Sequence, residues 1–410
     1  MSKPRFSLFQ AFGVEMEYMI VDKDTLAVKS IADKLIFEAA GDFTSEVIRG
    51  EMAWSNELVS HVIEIKCLKP ASSMIGLQRK FWQNVREINE RLEKYNAMLL
   101  PTGAHPLMNP KEAKIWEHEY NEIYSLYDRI FDCKSHGWVN LQSTHINLPF
   151  ANDEEFGRLH AAIRLLLPII PALSASTPIM DGKLTNYLDA RLEVYRHNQE
   201  KIPSIAGKII PEQVFSQKDY EKKIFQRIIE DIKPYDTEGI LDKHFLNSRG
   251  AIARFDRGAI EIRIIDIQEC PKADMGILLV IVAALKYIIS EKWCSYELQK
   301  QWHEDDLSKI FLEVIEYGAY TYIGNEEYLK LFGIKEGGCQ AKDVWKHIVE
   351  QVGYQLDTEA LQTVNFILEN DTLARRIVRK LKGDFSEKNI HKVYRQLAEC
   401  LAYNQMFEVN

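Results

Sequence analysis

The sequence predicts an α+β fold in which a largely antiparallel sheet is followed by a layer of helices. Strand-like and helical segments mix in the first half without the regular β–α alternation of parallel sheets. Two strand-like segments, Gly13–Val21 and Ala259–Asp266, alternate charged and apolar residues. From about Pro271 onward the apolar residues recur almost only at helical spacing.

Each element of the first half has its own pattern. The strand candidates alternate in polarity and are Phe6–Val21, Thr44–Arg49, Glu57–Cys67, Met98–Gly103 and Trp138–Pro149. The helix candidates repeat apolar residues at steps of three and four and are Ser72–Tyr95, Pro110–Phe131 and Asp153–Leu173. Ser72–Ser73 and Asn152–Asp153 are the candidate N-caps. Residues 174–250 are irregular, which fits either a substrate-covering region or a plain surface excursion.

Composition and charge narrow the class of protein. Of the 410 residues, 46% are hydrophobic and 27% are charged, which is typical of a globular protein with a large core. The net charge of −9 argues against a nucleic-acid partner. Six scattered cysteines without a C-x-x-C pair, and a start without a signal-peptide core, predict reduced thiols in a cytoplasmic protein. The most apolar stretch, Met275–Ser290, is too short to span a bilayer, so we expect a buried helix and no membrane partner.

No linker-like stretch divides the chain. We therefore predict a core over residues 1–295 and a helical extension over residues 296–410 that packs on the core and is not independent.

The two charged strands confine their charge to one end of an otherwise apolar face. Glu15 and Glu17 share a strand face, as do Glu261 and Arg263, because side chains alternate with a period of two. Both charged faces then become apolar, at Met19 and Val21 and at Ile265 and Ile267. A solvent-facing strand would stay polar, so the pattern predicts an acidic pocket at the mouth of a sheet. Clustered carboxylates are stable when a positive group, usually a metal ion, neutralises them.

Four segments supply candidate ligands for such an ion. They contain Glu15 and Glu17, then Glu57, His61 and Glu64, then His145 and Asn147, and finally Glu261 beside Arg263. Carboxylates with a histidine suit Mg²⁺ or Mn²⁺ better than zinc or copper, and an arginine beside them can bind a phosphate through two hydrogen bonds. Together these groups predict a phosphoryl-transfer site.

Each of these residues also has a plainer interpretation. A single strand glutamate is by default solvated or ion-paired, and His145 fits a hydrogen-bonded core histidine equally well. Glu261 and Arg263 could simply pair with neighbouring strands. Glu57 and Glu64 are seven residues apart, so one regular strand would send them to opposite faces unless a bulge or bend intervened.

The motifs resemble those of a known family. FGVEME at Phe12–Glu17, HIN at His145–Asn147, ALSASTP at Ala172–Pro178 and IEIRIIDIQ at Ile260–Gln268 resemble, in this order, the glutamate–cysteine ligase family. The carboxylate–amine ligase branch, within the glutamine synthetase-like superfamily, is the nearest form, and the resemblance covers about Ser7–Ala283. It implies a curved, mostly antiparallel sheet that forms a funnel, with two or three Mg²⁺ (or Mn²⁺) ions and ATP at its wide end.

The resemblance also implies roles for single residues. The positions that match metal ligands are Glu15, Glu17, Glu57, Glu64, His145 and Glu261. Arg263 matches the arginine that contacts the transferred phosphate of ATP, which makes Arg263 and Glu261 the expected catalytic pair. Tyr187 and Arg191 match a stretch near the amino-acid substrate. Asn147, where the carboxylate–amine ligase branch often has a second histidine, is a further substrate-binding candidate.

The implied reaction is ATP- and Mg²⁺-dependent formation of an amide. A carboxylate, typically the γ-carboxylate of glutamate, attacks ATP, and an amine such as cysteine attacks the resulting acyl phosphate. The segment Tyr195–Gln199 departs from the family pattern and leaves the amine acceptor open. A metal-dependent hydrolase and a non-catalytic nucleotide- or metabolite-binding protein are the alternative interpretations. We expect small-molecule partners, with a homodimer as the candidate oligomer.

Overall fold

An eight-stranded antiparallel sheet lies at the centre of the computed structural model, which describes residues 5–335 and 337–409. The strands in chain order are β1 (Gly13–Asp22), β2 (Glu46–Arg49), β3 (Met52–Asn56), β4 (Val62–Cys67), β5 (Ala97–Leu100), β6 (Ser143–Pro149), β7 (Ile179–Met180), β8 (Lys183–Leu184), β9 (Ala251–Arg254), β10 (Ala259–Asp266), β11 (Tyr322–Ile323) and β12 (Cys339–Gln340). The order across the main sheet is β2-β3-β4-β1-β6-β10-β9, and β5 pairs with the end of β1. The predicted α+β class with an antiparallel sheet is confirmed.

Helices surround this sheet and make up nearly all of the last third. They are α1 (Ala32–Ala40), α2 (Leu77–Leu92), α3 (Asn121–Phe131), α4 (His136–Val139), α5 (Asp153–Leu166), α6 (Pro171–Ser174), α7 (Ala190–Tyr195), α8 (Gln217–Tyr220), α9 (Gln226–Ile232), α10 (Lys243–Leu246), α11 (Pro271–Ile289), α12 (Tyr296–Lys300), α13 (Glu304–Tyr317), α14 (Glu326–Lys330), α15 (Ala341–Val352), α16 (Thr358–Asn370), α17 (Leu373–Leu381) and α18 (Glu387–Tyr403). The irregularity predicted for residues 174–250 is confirmed, since its helices are short and separated by turns.

The back face of the sheet is apolar and packs against α2, α5 and α11. Met16, Tyr18 and Ile146 point to this face and are fully buried, and each such burial contributes about 1.5–3 kcal/mol. The predicted buried helix is α11, whose central residues belong to the same core. Within residues 5–335 and 337–409, no helix has both the length and the apolarity that crossing a membrane requires.

Several local predictions are wrong. The helix expected over Pro110–Phe131 begins only at Asn121, and the strand expected over Trp138–Pro149 begins only at Ser143. The segment Glu57–Cys67 is not one strand, because the chain forms a hairpin in which β3 ends at Asn56 and β4 begins at Val62. The cap expected at Ser72–Ser73 is absent because α2 begins after Gly76, which has a positive φ and no side chain that could accept a capping hydrogen bond. The cap at Asn152 is confirmed, since its side chain accepts a hydrogen bond from the Glu155 amide.

A β-bulge interrupts β10 where it pairs with β6. Ile262 lies opposite Ile146, yet Ile265 lies opposite Thr144, so β10 uses one residue more than β6 over this interval. Ile265 therefore faces the apolar back, and Asp266, opposite Ser143, returns to the polar front. The placement of Ile265 and Ile267 on the charged face, which a regular alternation predicts, is wrong because of this extra residue.

The helical last third contacts the core through buried hydrogen bonds. The Trp345 indole donates to the Ile169 carbonyl (2.7 Å), and the Arg376 guanidinium donates to the Glu269 carboxylate (2.6 Å). The same carboxylate accepts the Phe407 amide (3.1 Å), which fixes the last described residues near the end of β10. Whether residues 296–410 depend on residues 1–295 for folding stays a prediction.

Candidate active site

The polar front of the sheet forms the floor of a cavity of about 390 Å³. Strand register aligns its charged side chains in rows, because residues directly opposite on antiparallel strands point to the same face. Glu15 on β1 lies between Lys66 on β4 and His145 on β6. One step along, Glu17 lies opposite Glu64. The acidic pocket predicted from single strands is thus a cluster of charged side chains that extends across four neighbouring strands, β4, β1, β6 and β10.

All six predicted metal-ligand positions line this cavity, and Arg263 lines it with them. The concern that Glu57 and Glu64 must face opposite ways does not apply, because the β3–β4 hairpin separates them. Glu57 follows β3 at the turn, and Glu64 lies on β4 opposite Ser55, which donates a hydrogen bond to it (2.5 Å). The reversal of the chain brings both carboxylates to one site.

His145 lies between two groups of carboxylates. Its Nδ1 is 3.5 Å from a Glu15 oxygen and 3.8 Å from a Glu261 oxygen, and its Nε2 is 3.9 Å from a Glu17 oxygen. Each side could hold a metal ion: Glu15, His145 and Glu261 on one side, and Glu17, Glu64 and His145 on the other.

Hydrogen bonds to Ser143 indicate which nitrogen of His145 is free. The Ser143 hydroxyl donates to Glu17 (3.0 Å), so its oxygen is left to accept from the Nε2–H of His145 (2.8 Å). Burial lowers the pKa of His145, which keeps the ring neutral with a single proton. The Nδ1 lone pair then points toward Glu15 and Glu261, as metal coordination from that side requires, and in this tautomer an ion on the other side would be held by Glu17 and Glu64 without His145.

The carboxylates repel one another and are poorly solvated. Burial, reinforced by the charge of Glu261, raises the pKa of Glu15 to about 7. Burial also raises the pKa of Glu17, Glu57 and Glu64, and the charges of neighbouring carboxylates add to this effect. Burial would raise the pKa of Glu261 as well, but Arg263 above all lowers it.

A divalent cation fits this donor set. Mg²⁺ and Mn²⁺ prefer carboxylate oxygens, and carboxylates crowded in a buried site lose their mutual repulsion when such an ion neutralises them. The neighbouring side chains do not supply enough positive charge, since among the described residues three cations, Lys66, Arg254 and Arg263, lie at ion-pair distance from a cluster of five carboxylates. Among the described residues, the side chains that could hold such an ion are those of Glu15, Glu17, Glu64, Glu261 and His145, and Glu57 lines the same cavity.

Arg263 and Arg254 flank the carboxylate cluster on the β10 side. The Nε of Arg263 is 3.2 Å from one oxygen of Glu261, and the Nη1 of Arg254 is 3.8 Å from the other. Arg263 lies in the bulge, which lets its side chain enter the cavity while its amide bonds to the Gly250 carbonyl (2.9 Å). Its charge is thus positioned beside the carboxylate cluster.

Asp266 is a site residue that the sequence pattern did not reveal. It is fully buried, ion-pairs with Arg191, and accepts hydrogen bonds from Ser176 (amide, 2.8 Å) and Thr177 (hydroxyl, 3.0 Å). A Cβ atom at position 103 would lie 2.7 Å from the carboxyl carbon of Asp266, which is too close, so Gly103 makes room for this carboxylate. The Asp266 carboxylate fixes Arg191 at the cavity wall, and only the bulge brings Asp266 to that face.

The remaining predicted site residues divide into three outcomes. Arg191 lines the cavity, and Asn147 touches the cluster by donating to Glu15 (3.2 Å). Tyr187 does not line the cavity and packs against apolar core residues instead. His61 is a core histidine whose Nε2 bonds to the Val139 carbonyl (2.9 Å).

The fold and the site define an antiparallel-sheet scaffold with a carboxylate-rich cavity, and solved ligases share the fold. Glutamate–cysteine ligase from Francisella tularensis, solved in complex with AMP, superposes with a TM-score of 0.59 at 13% identity, covering 97% of this chain and 90% of that one. The bifunctional glutathione synthetase from Pasteurella multocida gives 0.58 at 14% identity, covering 95% of this chain and 53% of that one. At these identities the likeness concerns the fold alone.

Sequence comparison defines the family. Residues 11–332 match the model of glutamate-cysteine ligase family 2 (GCS2), and the chain belongs to this family. An uncharacterised protein of Archaeoglobus fulgidus is 30% identical over 398 residues, 96% of this chain and 99% of that protein. A protein of Bradyrhizobium diazoefficiens, named only provisionally as a glutamate–cysteine ligase 2, is 25% identical over 52% of this chain and 46% of its own length. The family resemblance inferred from the motifs is confirmed.

Proposed function

We propose that this protein is an ATP-dependent ligase that joins the γ-carboxylate of glutamate to an amine through an acyl phosphate. The observation that carries the proposal is the carboxylate cluster around His145, with Arg263 beside it, in a chain of this family. Mg²⁺ bound by the cluster would offset the negative charge of the nucleotide phosphates.

In the first step, a carboxylate oxygen of glutamate attacks the γ-phosphorus of ATP, and the bond to the leaving ADP oxygen breaks. Negative charge spreads over the transferred group, and Arg263 is placed to donate hydrogen bonds to it. Glu261 orients that guanidinium at 3.2 Å, and Arg254 supports Glu261 from its other oxygen. Arg191, held by Asp266 at the cavity wall, is proposed to bind the amino-acid substrate.

In the second step, the amine nitrogen attacks the acyl carbon, the bond from carbon to the phosphate oxygen breaks, and the released phosphate or solvent takes the nitrogen's proton. Water must be kept from the acyl phosphate meanwhile. The short helices of residues 190–246 contribute α7 and α10 to the cavity wall, so we propose that this region covers the substrates.

An isotope experiment tests the reaction directly. Glutamate labelled with ¹⁸O in its γ-carboxylate, incubated with ATP, Mg²⁺ and hydroxylamine, should transfer one ¹⁸O atom to inorganic phosphate and yield γ-glutamyl hydroxamate. ADP should form only when glutamate is present. Phosphate release without ¹⁸O transfer would favour a hydrolase instead. Metal-dependent ATP binding without ADP or hydroxamate would indicate a non-catalytic binding protein.

A further inference from the structure

Three aromatic rings form one wall of the cavity. Tyr127 on α3 meets Trp138 on α4 edge-to-face (centroids 5.4 Å apart, planes at 75°) and meets Phe245 on α10 in the same manner (5.5 Å, 89°). All three residues line the cavity. We call Tyr127, Trp138 and Phe245 the aromatic wall.

The cationic and the apolar side chains of the cavity lining occupy different parts of the sheet. Lys66, opposite Glu15, and Arg254, opposite Ala259, line the cavity near the start of β1, and Arg257 lines it from the turn between β9 and β10. Beyond the row of Glu17 and Glu64 the lining becomes apolar, with Leu58, Val59, Val62 and Leu141 next to the aromatic wall. The polyphosphate of a nucleotide suits the cationic end. In-line transfer then requires the acceptor carboxylate to approach from the other end.

Phe245 leaves apolar surface open in the cavity. Its side chain is 48% exposed, whereas Tyr127 behind it is 4% exposed. A large apolar side chain exposed inside a concave site is available to pack against an apolar ligand group, and that contact removes both surfaces from water.

Two side-chain amides border the same wall. Asn198 uses its NH₂ group to donate to the Gly137 carbonyl (2.9 Å), and Gln199 donates to the Ser248 hydroxyl (3.0 Å), which itself donates to the Leu246 carbonyl. These bonds fix the direction of both amides. Each amide oxygen is left without a hydrogen-bond donor among the described residues. A primary amine supplies N–H groups of the kind these oxygens lack.

We infer that the acceptor is a primary amine carrying an aromatic or large apolar group, and that Phe245 of the aromatic wall selects it. This inference rests on the proposed function, because the amine must attack an acyl phosphate formed beside the cluster. Tyr195, whose hydroxyl bonds to the Ser248 carbonyl (2.8 Å), also lines the cavity between the wall and Arg263. The amine group would thus enter from the apolar end.

The test compares acceptors and one variant. Purified protein is supplied with ATP, Mg²⁺ and glutamate, and kcat/KM is measured for phenethylamine, isoamylamine, ammonia, L-cysteine and hydroxylamine. Phenethylamine should exceed cysteine and ammonia by about tenfold or more. Phe245→Ala should lower the ratio of kcat/KM for phenethylamine to that for hydroxylamine about tenfold. Phe43→Ala, at a phenylalanine that is 53% exposed outside the cavity, is the matched control and should leave the ratio unchanged.

The outcomes separate this inference from the proposed function. Absence of hydroxamate from the unaltered protein would overturn the proposed function and this inference with it. Hydroxamate formation with a preference for cysteine or ammonia, unchanged by Phe245→Ala, would overturn only the inference about the acceptor. A rise in the KM for ATP in Phe245→Ala, with the amine preference intact, would assign the aromatic wall to the adenine ring and would also overturn the inference.

Discussion

Replacing Arg263 by alanine should reduce turnover far more than nucleotide affinity. The guanidinium lies 3.2 Å from Glu261, and its side chain is 28% exposed, so solvent can replace part of its effect. A charged donor that contacts the reacting group mainly in the transition state is worth about 10²–10³ in kcat, or about 2.7–4 kcal/mol. Because Arg263 is partly exposed, we expect the lower end of that range, about a hundredfold.

Steady-state measurements with glutamate and hydroxylamine separate the two effects. The KM for ATP should change less than about threefold, since ground-state contacts come from other cations as well. Arg263→Lys keeps the charge but loses the two-pronged donor geometry, so it should recover only part of the rate. A large rise in the KM for ATP with kcat nearly unchanged would refute the reasoning and make Arg263 a ground-state contact.

Four further predictions follow from the site and the packing. Glu15→Gln or Glu261→Gln should lower kcat at least about a hundredfold by weakening metal positioning. A variant with a near-normal rate would show that the replaced residue does not belong to the site. Because the pKa of Glu15 is raised to about 7, protons compete with the metal below that pH. The Kd for Mn²⁺ should therefore rise up to about tenfold per pH unit below about pH 7 and level off above it, and a calorimetric titration showing no such slope would contradict this. Glu269→Gln leaves the buried Arg376 charge unpaired and should cost about 3–5 kcal/mol in urea unfolding, whereas Glu51→Gln, whose exposed carboxylate pairs with a surface lysine, should cost less than about 1 kcal/mol. Residues 1–295 expressed alone should be insoluble or unfolded, and a cooperative unfolding transition for that fragment would show an independent core.

The acidic site was predictable because its signal is local. Glu15 and Glu17 are two residues apart on a strand whose other face is apolar, and a period of two needs no knowledge of the rest of the fold. The same reasoning identified Glu261 and Arg263. The long helix α11 was equally clear, since most of its residues are apolar and buried.

The missed features depend on partners far away in sequence. The turn between β3 and β4 carries Glu57 without a glycine-containing two-residue turn signal, so the hairpin could not be distinguished from one strand. Tyr187 was placed by resemblance alone, and the structure puts it against the core. The aromatic wall comes from α3, α4 and α10, and such an assembly leaves no pattern in any one segment.

The bulge in β10 makes the site sensitive to chain length as well as to residue identity. Glu261 and Asp266 are separated by an odd number of positions, which a regular strand would send to opposite faces, and the bulge brings both to the polar front. Removing one residue between Ile262 and Ile265 would let β10 pair with β6 in ordinary register and would leave Asp266 opposite Ser143, so the loss would fall on the deleted residue alone. An inserted residue with the bulge kept would instead turn Asp266 toward the apolar back and Ile265 into the cavity, and Arg191 would lose its counter-ion although every residue that touches substrate was still encoded. A single-residue insertion there should therefore be harsher than a single-residue deletion.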